Sequence, residues 1–120
     1  MKNLICLKIQ FGNKFNIEKI KLIGQTLDND DVLVFFIGNI FDKNQKKISV
    51  QKIYSLYKEH KINIVNYLDG TYSIIIIDKK EKKLYVFQDF LGSNHSIYFY
   101  KCKEFILISN ELKQIILEAD

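Results

Sequence analysis

Two cysteines, two histidines and a scatter of carboxylates are the groups in this 120-residue chain that could attack a substrate, move a proton or hold a metal. Cys6 and Cys102 are too few for a disulfide framework. They also lack metal-ligand spacing to His60 or His95, so reduced thiols are expected, with no metal or other cofactor. Cys6 falls inside an apolar strand pattern, where a small buried thiol is the ordinary role. Cys102 stands between Lys101 and Lys103 in a turn, and neighbouring ammonium groups favour a thiolate. An exposed free thiol with no assigned task is expected there. His60 ends a helical pattern, where a cation suits the negative end of the helix dipole. His95 has no nucleophile near it in the sequence and reads as a polar loop residue.

The carboxylates have structural readings too. Asp69-Gly70 predicts a tight turn leading into a strand, and Asp89 with Gly92 predicts a loop held by carboxylate-to-backbone hydrogen bonds. Glu111 sits where a last helix begins, next to the positive end of its dipole.

Charge excludes further classes. Lys+Arg is 18 against Asp+Glu 14, for a net charge of +4, and every basic residue is a lysine. Without arginine the chain has no planar fork for bidentate grip on carboxylates or phosphates. The lysines group at Lys43, Lys46, Lys47 and at Lys79, Lys80, Lys82, Lys83, diluted by Asp42, Asp78 and Glu81. A nucleic-acid interface would interleave such a stripe with exposed aromatics; here the tyrosines and phenylalanines fall at core spacing within strands. Near the N-terminus Lys8 and Gln10 interrupt the apolar run before a signal-peptide core forms, and no stretch is long enough to span a bilayer. A cytoplasmic protein is expected. The 48 % hydrophobic content over this length predicts a single domain, residues 1–120, with a real core.

The elements that must position these groups follow from periodicity. Residues 3–11 alternate as a strand, and residues 15–23 fit a short helix or an irregular strand equally. Residues 27–31 read as a polar loop. The continuous apolar run Val32 to Ile37 predicts a strand covered on both faces, ended by Gly38 and Asn39. Ser49 caps a helix to His60 whose stripe is Val50, Ile53, Tyr54 and Tyr57. Residues 72–77 and 84–88 form a hairpin across a charged turn, and residues 96–101 and 104–109 form a second, turning at Cys102 and Lys103. Asn110 caps a last helix with Leu112, Ile115 and Ile116 on its apolar stripe. Antiparallel hairpins with doubly buried strands predict an α+β domain, a layered antiparallel β-sandwich with flanking helices.

The stretch 68–112 carries the motif spacing. Asp69 and Gly70, Asp78, Asp89, Gly92, Tyr98, and Glu111-Leu112-Lys113 occur in an order that resembles the class II glutamine amidotransferase domain of asparagine synthetases. That family includes the N-terminal domains of β-lactam synthetases and lasso-peptide cyclases, and its order reads roughly LDGMFAFAIWD, RDRLGIKPLYY, FASELK. A fainter likeness extends to residues 36–42, FIGNIFD, where the family has FNGEIYN. The resemblance implies a truncated N-terminal-nucleophile hydrolase-like fold, and a domain that releases ammonia from glutamine while docked on a synthetase domain.

The departures fall where that family does chemistry. Its nucleophile is a cysteine directly after the initiator methionine, with its own α-amino group as base; position 2 here is lysine. The Asn-Gly oxyanion pair is Ile37-Gly38, so the side-chain donor is gone. The aspartate that grips the substrate amino group aligns with Val50, and its carboxylate-gripping arginine has no counterpart. Losing one oxyanion donor costs about 100- to 1000-fold in rate. The leading expectation is a pseudoenzyme: a non-catalytic accessory or binding module beside a separate asparagine-synthetase-like or peptide-modifying enzyme. Its partner would be that enzyme, a precursor peptide added along an exposed strand edge, or a second copy of the chain. Two other classes remain open. One is an amide hydrolase exposing Cys6 as an N-terminal nucleophile after cleavage behind Ile5, and the other is a lysine-based nucleic-acid binder, which the aromatic spacing disfavours.

Overall fold

The computed structural model describes residues 3–12, 14–89 and 96–119. Gly92 and His95 lie outside them. The described chain is α+β, with two antiparallel four-stranded sheets and two α-helices, and it divides into two compact units.

The unit formed by residues 25–95 contains β3 (Gln25–Asp28), β4 (Val32–Phe41), β5 (Asp69–Asp78) and β6 (Lys83–Gln88), hydrogen-bonded in that order. Helix α1 (Val50–His60) and a 3-10 helical turn (Lys61–Tyr67) connect β4 to β5. Val34, Phe36, Ile74 and Ile76 point to one side of the central strands and pack with Val50, Ile53, Leu56 and Tyr57 of α1. Their alternates, Leu33, Phe35, Ile75 and Ile77, are equally buried. Both faces of the central pair are therefore dry, as their unbroken β-branched runs require. Ser49 caps α1, its side chain accepting from the Lys52 N–H.

Two expectations fail in this unit. The segment expected as a polar loop begins with a strand, β3, because Thr26 and Leu27 pair with Phe35 and Val34. Gly38 and Asn39 do not end β4 either. They continue it, opposite Tyr72 and Thr71, with Gly38 at φ 109°. Glycine here lets the strand bend without leaving the ladder.

The other unit, residues 1–24 and 96–120, contains β1 (Leu4–Gln10), β2 (Asn16–Ile23), β7 (Tyr98–Lys101), β8 (Ile106–Ser109) and α2 (Leu112–Ala119). Its strand order is β2-β1-β8-β7. The open choice for residues 15–23 resolves as strand, with a register shift opposite Cys6 and Leu7. The β7–β8 turn closes through the Cys102 N–H to the Phe105 carbonyl, where the second hairpin was expected. Asn110 does not cap α2. Its side chain accepts from the Ile5 N–H at 3.0 Å and donates to the Asn3 carbonyl at 2.8 Å, tying β1 to the end of β8. Ser109 serves the helix start instead, its Oγ accepting from the Glu111 N–H. Of the expected α2 stripe only Ile115 is buried, while Leu112 and Ile116 face outward. Among the described residues no helix is long and apolar enough to cross a membrane.

Candidate functional site

The motif residues Asp69, Gly70 and Asp89 converge on the first half of β5. Asp69 is half-exposed and receives the Lys43 ammonium at 3.0 Å and the Gln45 amide at 3.3 Å, which ties the 42–46 turn to the strand. Asp69-Gly70 is not the tight turn expected of it. Both residues lie within the ladder, opposite Phe41 and Ile40. A Cβ on Gly70, at φ +115°, would overlap the Asn39 carbonyl oxygen and come within 3.1 Å of its carbon. Only glycine admits that approach. Asp89 behaves as expected of a carboxylate in a loop. Its Oδ1 accepts from the Tyr72 N–H at 3.0 Å, while its own N–H donates to the Tyr72 carbonyl. Each of the three fixes backbone.

At the far end of β5, Asp78 is buried and accepts from the Tyr57 hydroxyl at 2.8 Å and the Glu81 N–H at 2.9 Å. Burial alone would raise its pKa. The Glu81 N–H, the Tyr57 hydroxyl and the Lys61 charge outweigh burial and hold the carboxyl below its ordinary range. The Tyr57 phenol is pushed well up by burial first, then by donating to Asp78. This pair forms the floor of a cavity of about 170 Å³ that Lys58, Lys61 and Lys80 also line. Sequence reasoning placed Tyr57 only in the core stripe. The signal it passed over is that a buried tyrosine hydroxyl needs an acceptor, and Asp78 ends a neighbouring strand.

The remaining candidates lie in the other unit. Cys6 is fully buried in the middle of β1, with Lys21 of β2 on one side and Ser109 of β8 on the other. Burial raises its thiol pKa, with the Glu118 carboxylate adding to the rise, against a hydrogen bond with Ser109 and the Lys21 charge. Glu111 is among the groups that raise it, so Cys6, Ser109 and Glu111 form one neighbourhood. Cys102 is half-buried rather than exposed, its thiol donating to Glu104 Oε2 at 3.2 Å. His60 stands in the last turn of α1, as the dipole argument expects, and stacks on Tyr67 with ring centroids 3.7 Å apart. No group of three or more His, Cys, Asp or Glu side chains among the described residues is placed to hold a metal.

Two antiparallel sheets, with a glycine-dependent crossing and carboxylates clipping the central hairpin, define an amidotransferase-like α+β protein of the asparagine-synthetase type. The chain belongs to the glutamine amidotransferase domain family, whose sequence model matches residues 41–117. It is also similar to a putative glutamine-hydrolyzing asparagine synthetase of Methanocaldococcus jannaschii, with 26 % identity over 114 residues covering 85 % of this chain. The chain spans only 22 % of that relative's length. No solved structure matches it.

Proposed function

We infer that this domain is a non-catalytic amidotransferase-like module that acts beside a separate amide-forming enzyme of the asparagine-synthetase kind. The observation that carries the reading is the state of Cys6. Its thiol is sealed in mid-strand with a raised pKa, and its backbone is committed to a ladder with strands on both sides. A nucleophile that uses its own α-amino group as base needs that nitrogen free and the thiol open to substrate.

Three further features support the same reading. Ile37 stands where the resemblance expects a side-chain amide donor. Val50, aligned with the ammonium-gripping aspartate, is the buried first residue of α1. No arginine is available to hold a substrate carboxylate. With these substitutions the scaffold keeps its sheets and offers its surface. Cleavage behind Ile5, the route to an exposed Cys6, would also remove the backbone N–H that Asn110 accepts and the Asn3 carbonyl to which it donates.

Glutamine turnover and covalent trapping test this together. The purified chain, incubated with glutamine and separately with a diazoketone glutamine analogue, is expected to release no glutamate above buffer and to gain no mass. Glutamate release, or an adduct on Cys6 by peptide mass spectrometry, overturns the reading.

A further inference from the structure

Large apolar side chains exposed on the unit formed by residues 1–24 and 96–120 concentrate on two consecutive features of its edge. Strand β7 is exposed along its whole length, with Tyr98 37 %, Phe99 53 % and Tyr100 39 % accessible. Helix α2 exposes Leu112 at 52 % and Ile116 and Leu117 at 60 % each. β7 is also a sheet edge. It pairs with β8 on one side, and no described strand pairs with the other.

Edges are ordinarily blunted by charge, bulges or brevity. The opposite edge of this sheet, β2, carries Glu18, Lys19 and Lys21 and a register shift against β1. In the other sheet, β3 is four residues long and ends on Asp28. β7 has a single charge, at its end, and reads Tyr-Phe-Tyr-Lys.

We propose that this edge is a self-association surface, on which two copies of the chain pair β7 against β7 antiparallel and extend the four-stranded sheet across a two-fold axis. With the axis between Phe99 and Tyr100, each Phe99 faces the other copy's Tyr100. Each Tyr98 then faces the other copy's Lys101. These are aromatic–aromatic and cation–π cross-strand pairs, and the two lysines stay apart.

Helix spacing is an independent check on that geometry. An antiparallel edge pairing has its two-fold perpendicular to the sheet, so both α2 helices fall on the same face. α2 packs against both β7 and β8, so its axis lies over the gap between them, about half a strand spacing inside β7. The two-fold lies half a spacing outside β7. At about 4.8 Å per strand the two helices run roughly 9.6 Å apart, within the 8–10 Å of packed helices. Leu112 and Ile116, at i and i+4, lie on one flank of α2 roughly a quarter-turn from buried Ile115, where such a seam needs apolar groups.

The area also suffices. Taking about 200 Å² for each of the six residues when fully exposed, their accessible fractions amount to roughly 600 Å² per copy. Two copies reach about 1,200 Å², the lower bound for stable specific interfaces. This proposal does not depend on whether the domain is catalytic.

Sedimentation of the full chain from about 1 to 100 μM is expected to show a species of twice the 14.2 kDa chain mass. Phe99→Lys and Ile116→Lys should each weaken association about 100-fold while the circular dichroism spectrum and melting curve stay native. In a Cys102→Ser background, Tyr98→Cys with Lys101→Cys should form an intermolecular disulfide under mild oxidation. Within one strand those positions are about 10 Å apart, too far to bridge. A monomer throughout the range, a dimer that survives both lysine substitutions, or a dimer that fails to cross-link overturns the proposal.

Discussion

Replacing Tyr57 by phenylalanine removes one hydroxyl from the hydrogen bond that joins α1 to the end of β5. The ring keeps its place against Tyr85, so the change isolates the bond. The acceptor, Asp78, is 4 % exposed. A hydrogen bond to a buried charged group contributes about 1.5–3 kcal/mol, and the carboxylate keeps the Glu81 N–H, so a loss of about 2 kcal/mol is expected. At roughly 4 °C per kcal/mol for a chain of this size, the melting temperature should fall by about 8 °C. The pH dependence has a definite sign. The folded pKa of Asp78 is lowered, so its contribution is fully present above the ordinary aspartate value and is lost as the pH falls through the folded value. The gap between wild type and Tyr57→Phe should therefore be constant above about pH 5 and shrink below about pH 4. Urea unfolding followed by far-ultraviolet circular dichroism reads both, and a double-mutant cycle with Asp78→Asn isolates the pairwise term. A Tyr57→Phe protein within about 0.5 kcal/mol of wild type at neutral pH, or a gap that widens in acid, refutes the assignment.

Gly70→Ala should cost at least about 3 kcal/mol, combining a left-handed φ with backbone displacement at Asn39. Its urea midpoint should fall accordingly, and an alanine protein as stable as wild type would mean that β4 and β5 do not cross as described. Thiol titration should find Cys102 reactive in the native protein and Cys6 reactive only after denaturation, since burial both hides the Cys6 thiol and raises its pKa. Two rapidly reacting thiols under native conditions would contradict the burial of β1.

Much of this architecture was legible because the pattern was strong. The β-branched run Ile74 to Ile77 and its partner Val32 to Phe36 had no polar alternation, and they are the paired central strands. Helix α1 was fixed by Ser49 and by a stripe that does bury Val50, Ile53 and Tyr57. The misreadings share a cause. Gly38-Asn39 and Asp69-Gly70 look like turn dipeptides, yet they lie close to one another in the same ladder, Asn39 opposite Thr71 and Ile40 opposite Gly70. The permissive φ of each glycine bends paired strands rather than ending them, and only the partner strand reveals which. Asn110 misled in a similar way. Asparagine before a helix suggests a cap, but the amide is claimed by Asn3 and Ile5, more than a hundred positions away in sequence. Long-range claims on a side chain leave no local signature.

The same reasoning separates family membership from catalysis. Asp69, Gly70 and Asp89 occur in the order that ties the chain to its family, and each of them acts on backbone: the 42–46 turn, the Asn39 carbonyl, the Tyr72 N–H. A chain that must register β4 against β5 and clip β5 to the end of β6 needs these residue types at this spacing, whether or not it hydrolyses anything. The match over residues 41–117 is thereby explained by the sheet. Glutamine chemistry rests on other positions, where this chain has a sealed thiol at Cys6 and an aliphatic side chain at Ile37. If those two groups decide activity, restoring an asparagine at position 37 alone should leave the chain without glutaminase activity, because a donor for an oxyanion has no use until a nucleophile can create one.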